Sequence, residues 1–339
     1  MNSAVIFGGC GFIGLYFVEK ALDLNLFNNL YLVDIREPED NFGKLKYQKL
    51  LNTGKVKFLK RDVRENLNDI LIEGNLTTIL NFAAIHREPG HQDHEYGETN
   101  IVGAKNVCDF AKFNNCNNII FTSSIAVYGP GEHEKNESTD PKPSTPYGKS
   151  KLESEKVHLN WQKEDPNNRI LSICRPGVVF GAGEKGNVTR LVKFIKRGLF
   201  FYMNNKNLKK GGLYIKELIN MIIWVNKNQI TKKMPNLTLY NACMFPCPTI
   251  EDFASNISKK VNHSGKFISM PGFMVNFFLF VSLIFTKLFK KNNSLNYYRL
   301  IKLFRSNTII PRFLVINEYI FKYDLNSSFD DWKKLDSSD

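Results

Sequence analysis

The chain is poor in cysteine, with six in 339 residues at positions 10, 108, 116, 174, 243 and 247. A disulfide framework is dense in cysteine and belongs to short secreted domains, so this scatter excludes one and predicts reduced thiols. No second pair stands at zinc-ligand spacing from Cys243 and Cys247, and no metal site is expected. The basic n-region and cleavage site of a secretory signal are missing, because an apolar run begins at Ala4, and a cytoplasmic protein is expected. A bilayer-spanning run is missing too. The most apolar segment, residues 271–291, is interrupted by Asn276, Ser282, Thr286 and Lys287 and falls short of the roughly 20 apolar residues a spanning helix needs. Internal repeats and low-complexity stretches are absent. Acids are scarce in the second half: residues 181–339 hold 25 Lys or Arg against 10 Asp or Glu, whereas residues 1–180 hold 21 against 23. The net charge of +13 therefore lies in the second half, where it suits a phosphate-bearing ligand, an anionic membrane or nucleic acid.

What is present is regular alternation. Short β-rich runs at Ala4–Phe7, Leu30–Val33, Val56–Lys60, Thr77–Phe82, Asn118–Thr122 and Ile170–Cys174 alternate with helical patterns at about 12–25, 97–114 and 146–164. This predicts an α/β fold, a Rossmann-type doubly wound parallel sheet, over residues 1–181. Residues 182–339 are expected to form mainly a smaller C-terminal substrate lobe, with some segments returning to the first domain. Gly129–Pro146, rich in Glu, Pro, Ser and Gly, reads as an exposed loop leading into a helix.

The first strand runs into GGCGFIG. Gly8 permits the tight turn, Gly11 admits a pyrophosphate to the backbone, and Gly14 lets the helix pack on the strand, with the helix N-terminus facing the anion. Asp34 stands twenty residues beyond Gly14, at the end of the second strand, where an acid accepts hydrogen bonds from ribose hydroxyls and disfavours a 2′-phosphate. NAD is the expected cofactor. Asp62, after the third strand, is a weaker candidate for the adenine edge.

Tyr147 and Lys151 lie four apart at the start of a predicted helix, hence on one face. A phenol titrates near 10, and a neighbouring ammonium favours its phenolate, bringing it into range as a base. Ser124, in TSSIAVYG at the end of the fifth strand, is placed to hydrogen-bond the same substrate hydroxyl.

These motifs, together with Asn81–Ala84 (NFAA) and Arg175–Gly181 (RPGVVFG), closely resemble the extended short-chain dehydrogenase/reductases of the sugar epimerase and dehydratase branch. The resemblance implies a catalytic triad of Ser124, Tyr147 and Lys151. It implies further NAD contacts from Phe12 and Ile13 in the glycine loop, from Val63 beside Asp62, and from Ala83. Pro176 and Val178 would pack on the nicotinamide. The acid–base pair that family dehydratases carry after the catalytic Ser or Thr is replaced by Ile125 and Ala126, which argues against dehydration. The Asn that many soluble nucleotide-sugar epimerases carry three residues after Arg175 is here Val178.

A nearer likeness, in AAIHRE (Ala83–Glu88), in GNV (Gly186–Val188) and in the apolar then basic C-terminal part, is to bacterial 4-epimerases of N-acetylglucosamine linked through diphosphate to undecaprenol, in surface polysaccharide assembly. It implies a small-molecule or lipid-linked diphosphate sugar as substrate. His86, Arg87, Asn187 and Arg190 become substrate or diphosphate candidates. Peripheral membrane contact is expected through residues 271–289, where Phe273, Phe277, Val281, Ile284 and Leu288 share a helical face ending in Lys287, Lys290 and Lys291. A buried core helix is the competing reading of that segment. A homodimer is an open expectation. The alternatives are a 4-keto-sugar reductase using the triad once, a UDP-sugar 4-epimerase, an NAD sensor, or a nucleic-acid binder; the last lacks any recognised motif, and no nucleic acid is expected. His86, His91 and His94 match no metal-ligand spacing.

Overall fold

The computed structural model describes residues 1–87, 90–203, 205–274, 280–281 and 306–337. Strands β1 (Asn2–Phe7), β2 (Asn29–Asp34), β3 (Val56–Lys60), β4 (Asn75–Asn81), β5 (Asn118–Thr122) and β6 (Ile170–Pro176) lie in the order β3-β2-β1-β4-β5-β6, and Leu237–Ala242 adds a seventh strand beyond β6. Every pairing in this sheet is parallel. A parallel sheet is covered on both faces, so successive side chains of each strand enter two different cores. Ala4 and Ile6, with Leu30 and Leu32, join one core; Val5 and Phe7, with Tyr31 and Val33, join the other. Strand order reverses between β1 and β4, and ligands of such sheets bind at the carboxyl ends beside that switch.

Helix α1 (Phe12–Asp23) follows β1 directly. Helix α2 (Asn41–Leu51), which apolar periodicity does not signal, is capped by Asp40, whose Oδ1 accepts from Gly43 N at 2.7 Å, and it buries only Gly43, Tyr47 and Leu50. The helix expected from residue 97 starts earlier. Helix α3 (Asp93–Tyr96) passes through a π-helical turn, Gly97–Val102, into α4 (Gly103–Phe113). Helix α5 (Pro146–Lys163) begins with Pro at its first position and Thr145 as cap, Oγ1 accepting from Gly148 N at 3.1 Å.

After β6 the chain leaves the sheet as β7 (Val178–Phe180), forms α6 (Asn187–Lys196) and β8 (Tyr202–Met203), and pairs β9 (Gly212–Tyr214) with β7. Helix α7 (Ile215–Ile230) and β10 (Leu237–Ala242) then return to the large sheet. Helix α8 (Ile250–Val261), β11 (Ser269–Met270), α9 (Arg312–Ile316) and α10 (Leu325–Ser337) complete the lobe. The ring of Phe180 anchors it, lying 5.4 to 6.2 Å from the rings of Tyr214, Phe253, Phe329 and Trp332.

A further feature differs from expectation. The loop from Gly129 is not simply exposed, because Lys135 is buried, its Nζ donating to Gly131 O at 2.8 Å, and its backbone bridges to Thr308 and Ile310. The helical face expected at 271–289 lies mostly outside the described residues. Of its members only Phe273, 74% exposed, and half-buried Val281 are described. Among the described residues no helix is long and apolar enough to cross a membrane.

Glu217, the single acid between Gly186 and Lys233, is fully buried on α7. Its carboxylate accepts from Tyr319 Oη at 2.7 Å and from the backbone N–H groups of Lys322 and Tyr323 at 3.1 to 3.2 Å, tying the C-terminal segment to the sheet. Glu217→Leu leaves those buried donors unpaired and should cost about 2–3 kcal/mol. Urea denaturation measures that loss, and limited proteolysis should show new cleavage near residues 319–323.

Candidate active site

The glycine loop is built by backbone contact. Gly8 has φ +73° and its N–H donates to Val33 O at 2.9 Å; a Cβ there would lie 2.7 Å from Ala83 N. A Cβ on Gly14 would lie 2.5 Å from Gly9 O. Both positions are closed by the protein itself. Gly11 differs: it is exposed, and a Cβ on it would meet only Gly8 O, at 3.1 Å. Helix α1 has neither a side-chain cap nor an acid in its first turn, so its positive end is open to an anion over Gly11, with Phe12 and Ile13 half-buried alongside. Asp34 closes the loop from below, Oδ2 accepting from Cys10 N at 3.1 Å and Oδ1 from Ile35 N at 2.8 Å. Burial raises its pKa against the lowering effect of those bonds. The residues fit a dinucleotide: an open glycine where a diphosphate approaches and a held carboxylate at the adjoining strand end.

Asp62 is gripped by Arg64, Nη2 to Oδ2 at 2.6 Å and Nε to Oδ2 at 2.9 Å. Val63 is buried under Gly103, whose added Cβ would touch Val63 Cγ2 at 2.8 Å. Ala83 is half-buried beside Gly8, Pro176 is buried, and Val178 is 40% exposed where β7 departs.

Ser124 ends the extended stretch after β5 and caps a 3₁₀ turn, Ile125–Tyr128, its Oγ accepting from Ala126 N at 3.1 Å. The first turn of α5 lies on this turn. A Cβ on Gly148 would sit 2.6 Å from Ala126 O, so glycine after Tyr147 is what lets the helix carrying Tyr147 and Lys151 close on the segment carrying Ser124. That contact was not legible in the sequence.

Lys151 is 2% exposed, with Nζ 4.5 Å from the centre of the Phe121 ring. Seven residues on, and so on the same helical face, His158 stacks on that ring at 4.1 Å. Burial lowers the His158 pKa to about 4. Its neutral ring then donates from Nδ1 to Ser154 O at 2.7 Å and accepts at Nε2 from Asn81 Nδ2 at 3.3 Å. Asn100, swung inward by the π turn, donates from Nδ2 to Ser150 Oγ at 2.8 Å and to Ile85 O at 3.0 Å, and its Oδ1 accepts from Ile85 N at 2.9 Å. It thereby joins the strand end after β4 to α5.

Burial drives the Lys151 pKa down to about 7, opposed by the charge of Glu155 one turn along. Glu155 is itself 2% exposed and takes Nε and Nη2 of Arg175 at 2.8 and 2.6 Å, with Ser123 Oγ donating to the same carboxylate. Arg175 Nη1 donates onward to Tyr128 Oη at 3.0 Å, and Tyr128 to Asn241 Oδ1 at 2.8 Å.

His86 is solvent-accessible yet crowded by protein on several sides. That desolvation, then the charge of Arg87, lowers its pKa. Arg87 is exposed, its carbonyl accepting from Tyr96 Oη. Arg190 folds back over the start of α6, Nη2 to Asn187 Oδ1 at 3.1 Å. Among the described residues no three His, Cys, Asp or Glu side chains gather as metal ligands.

The profile of the family described as NAD dependent epimerase/dehydratase matches residues 4–237. The chain is 32% identical over 228 residues to the N-acetyl-α-D-glucosaminyl-diphospho-ditrans,octacis-undecaprenol 4-epimerase of Escherichia coli O157:H7, covering 67% of this chain and 64% of that one. It is 29% identical over 219 residues to a decarboxylating sterol-4-α-carboxylate 3-dehydrogenase of Saccharomyces cerevisiae, covering 61% and 60%. The chain thus spans less than two thirds of the length of these relatives. In fold it resembles the UDP-Glc/GlcNAc 4-epimerase of Campylobacter jejuni, with TM-score 0.75, 17% identity and coverage of 99% and 100%.

Gly148→Ala should force α5 off the Ala126 carbonyl and lower turnover about tenfold or more while sparing bound dinucleotide, since small misplacements at a reacting centre are costly. Steady-state rates and cofactor content together check this. The depressed Lys151 pKa fixes a sign in pH. Native Lys151 sheds its proton above about 7, whereas the unfolded side chain keeps it to about 10.4. Between those limits the unfolded state binds more protons, so cofactor-free protein should grow more stable as pH rises, a component that denaturation curves should show missing in Lys151→Met.

Proposed function

The chain belongs to the NAD-dependent epimerase/dehydratase family, and from that premise we propose that it is a 4-epimerase of a diphosphate-linked sugar, an N-acetylhexosamine carried on undecaprenyl diphosphate. The observation that supports the reading is the closure of α5 on the 3₁₀ turn through Gly148, which brings the helix that bears Tyr147 and Lys151 onto the turn that Ser124 caps, with Ile125 and Ala126 where a dehydratase would carry an acid–base pair. Such a site handles a proton on a carbinol oxygen and offers nothing to expel a neighbouring hydroxyl. NAD, when bound, supplies reversible two-electron oxidation at C4.

Gly11 and the start of α1 would hold its diphosphate, Asp34 its ribose, and Lys151 its nicotinamide ribose. Tyr147 removes the proton of the C4 hydroxyl as it becomes a carbonyl and returns one when the carbinol re-forms. Ser124, whose Oγ already accepts from Ala126 N, has its own O–H left to donate to the C4 oxygen. Lys151, in its protonated form, lowers the cost of the Tyr147 phenolate by charge. The sugar must turn between the two halves so that its opposite face is reduced.

The lipid carrier is supported by the name of the Escherichia coli relative, a 4-epimerase of an undecaprenol-linked sugar, and by the basic second half. His86, Arg87, Asn187 and Arg190 are the residues we assign to the sugar diphosphate, and the inner face of the cell membrane is the site of action that follows. The test is interconversion of C4 epimers by purified protein without added reduced cofactor, followed by chromatography of the released sugars. Tyr147→Phe should slow it on the order of 10²-fold or more with dinucleotide content intact. Stoichiometric NADH or NADPH consumption without epimer interconversion would instead show a keto-sugar reductase. Faster turnover of the UDP-linked than of the polyprenyl-linked sugar would refute the carrier assignment.

A further inference from the structure

The segments that lead into β8 and β11 run side by side and carry large apolar side chains. Inward, Phe200 and Tyr202 pack on Phe267, with ring centres 4.9 and 5.9 Å apart. Leu199, Phe201 and Ile268 face solvent instead, at 58%, 38% and 81% exposure. The two segments are in register, Tyr202 N donating to Ile268 O at 2.9 Å. Phe194, 51% exposed near the end of α6, adjoins them, since Leu199 N donates to Phe194 O at 3.0 Å; Phe273, 74% exposed, follows β11. A cluster of large exposed apolar side chains marks a contact surface.

Its charge identifies the contact. Exposed Lys193, Lys196 and Arg197 on α6 and Lys266 before β11 surround the apolar residues, and among the described residues none of them pairs with a carboxylate. Neither 185–210 nor 259–280 contains any Asp or Glu. A second copy of the chain meeting this face about a two-fold axis would set cations against cations, which opposes an isologous dimer. An anionic bilayer surface answers both halves of the pattern, headgroups for the cations and the acyl boundary for the apolar tips.

We propose that the face formed by the end of α6 and the β8–β11 sheet docks the protein on anionic phospholipid. Helix α6 is about 15 Å long for its ten residues. Its far end carries Asn187 and Arg190, so one rigid element would link the docked face to the residues assigned to the sugar diphosphate. This deepens the lipid-linked substrate reading and rests on it for its purpose, though not for its observation.

The experiment is cosedimentation of NAD-loaded full-length protein with phosphatidylcholine vesicles, with and without phosphatidylglycerol. Binding should require phosphatidylglycerol and weaken with salt. Phe201→Ser with Ile268→Ser, and separately Lys193→Glu with Lys196→Glu and Arg197→Glu, should each reduce the bound fraction about fivefold or more, with NAD content and turnover of detergent-solubilised substrate retained. Both variant sets alter exposed side chains, so bound NAD reports that each has folded. Vesicle binding equal to wild type in both sets would overturn the assignment. So would a shift from dimer to monomer in sedimentation velocity with vesicle binding unchanged, which would give the face to a second copy. Should wild type dock but leave the polyprenyl-linked sugar unchanged, the docking face stands and the substrate reading falls.

Discussion

The buried pair of Glu155 and Arg175 is the interaction on which the site depends. Two charges nearly out of water are costly unless each is met by an opposite charge and by hydrogen bonds, and here the bidentate contact, Ser123 and Tyr128 meet them. The pair joins α5 to β6 and, through Tyr128 and Asn241, to β10. Every element that supplies a candidate catalytic group is fixed to it. Ser124 follows Ser123, Lys151 stands one turn before Glu155, and the strand that starts the substrate lobe leaves just after Arg175. Its charge matters as well, because Glu155 is the anion that opposes the desolvation of Lys151.

How much of this the sequence discloses follows from the range of each interaction. The glycine loop, Asp34 and the Tyr147–Lys151 pair depend on spacing within one strand, turn or helix, and they were legible. Gly148, Asn100 and the Glu155–Arg175 pair depend on partners 22, 50 and 20 residues distant, and no local pattern names those partners. YGKSK shows a glycine in the first turn of a helix, an unfavourable place for one, and that anomaly is the single signal by which Gly148 could have been suspected. Helix α2 escaped for the opposite reason: it buries so little that it has no apolar stripe to read. Burial of Lys135 is invisible in a stretch that reads as an exposed loop, because its acceptors, the carbonyls of Gly129 and Gly131, are created by the fold of the loop itself.

The unequal charge of the two halves acquires a structural meaning. The first half is nearly balanced and makes most of its ion pairs within itself, with Asp40 and Glu134 reaching Lys185 and Lys209 of the second half. In the second half the one acid of the 186–233 stretch is buried as an acceptor for the C-terminal segment, so the cations of that stretch find no exposed acid within it: Lys206, Lys209 and Lys216 reach Glu251, Glu134 and Asp331 elsewhere in the chain, and Lys193, Lys196 and Arg197 are exposed on and beside α6. Solubility alone does not call for that arrangement, since it would be met as well by mixed charge. A surface that is basic, apolar and free of acids is selective for an anionic, partly apolar partner.

The same economy governs the proposed chemistry. Ser124 has one hydroxyl, and Ala126 N–H already occupies an acceptor position on its oxygen, which leaves the O–H to point at a substrate oxygen. Tyr147 either gives or receives the proton at that oxygen. Both contacts are indifferent to which face of the carbon beneath is hydrogenated, because they engage only the oxygen in the carbinol and in the carbonyl. A site of this kind stabilises the two epimers alike and fixes only the oxygen about which the sugar turns. Selectivity between them must then come from the groups that hold the rest of the substrate, which is why the diphosphate and its carrier, rather than the triad, decide what such an enzyme interconverts.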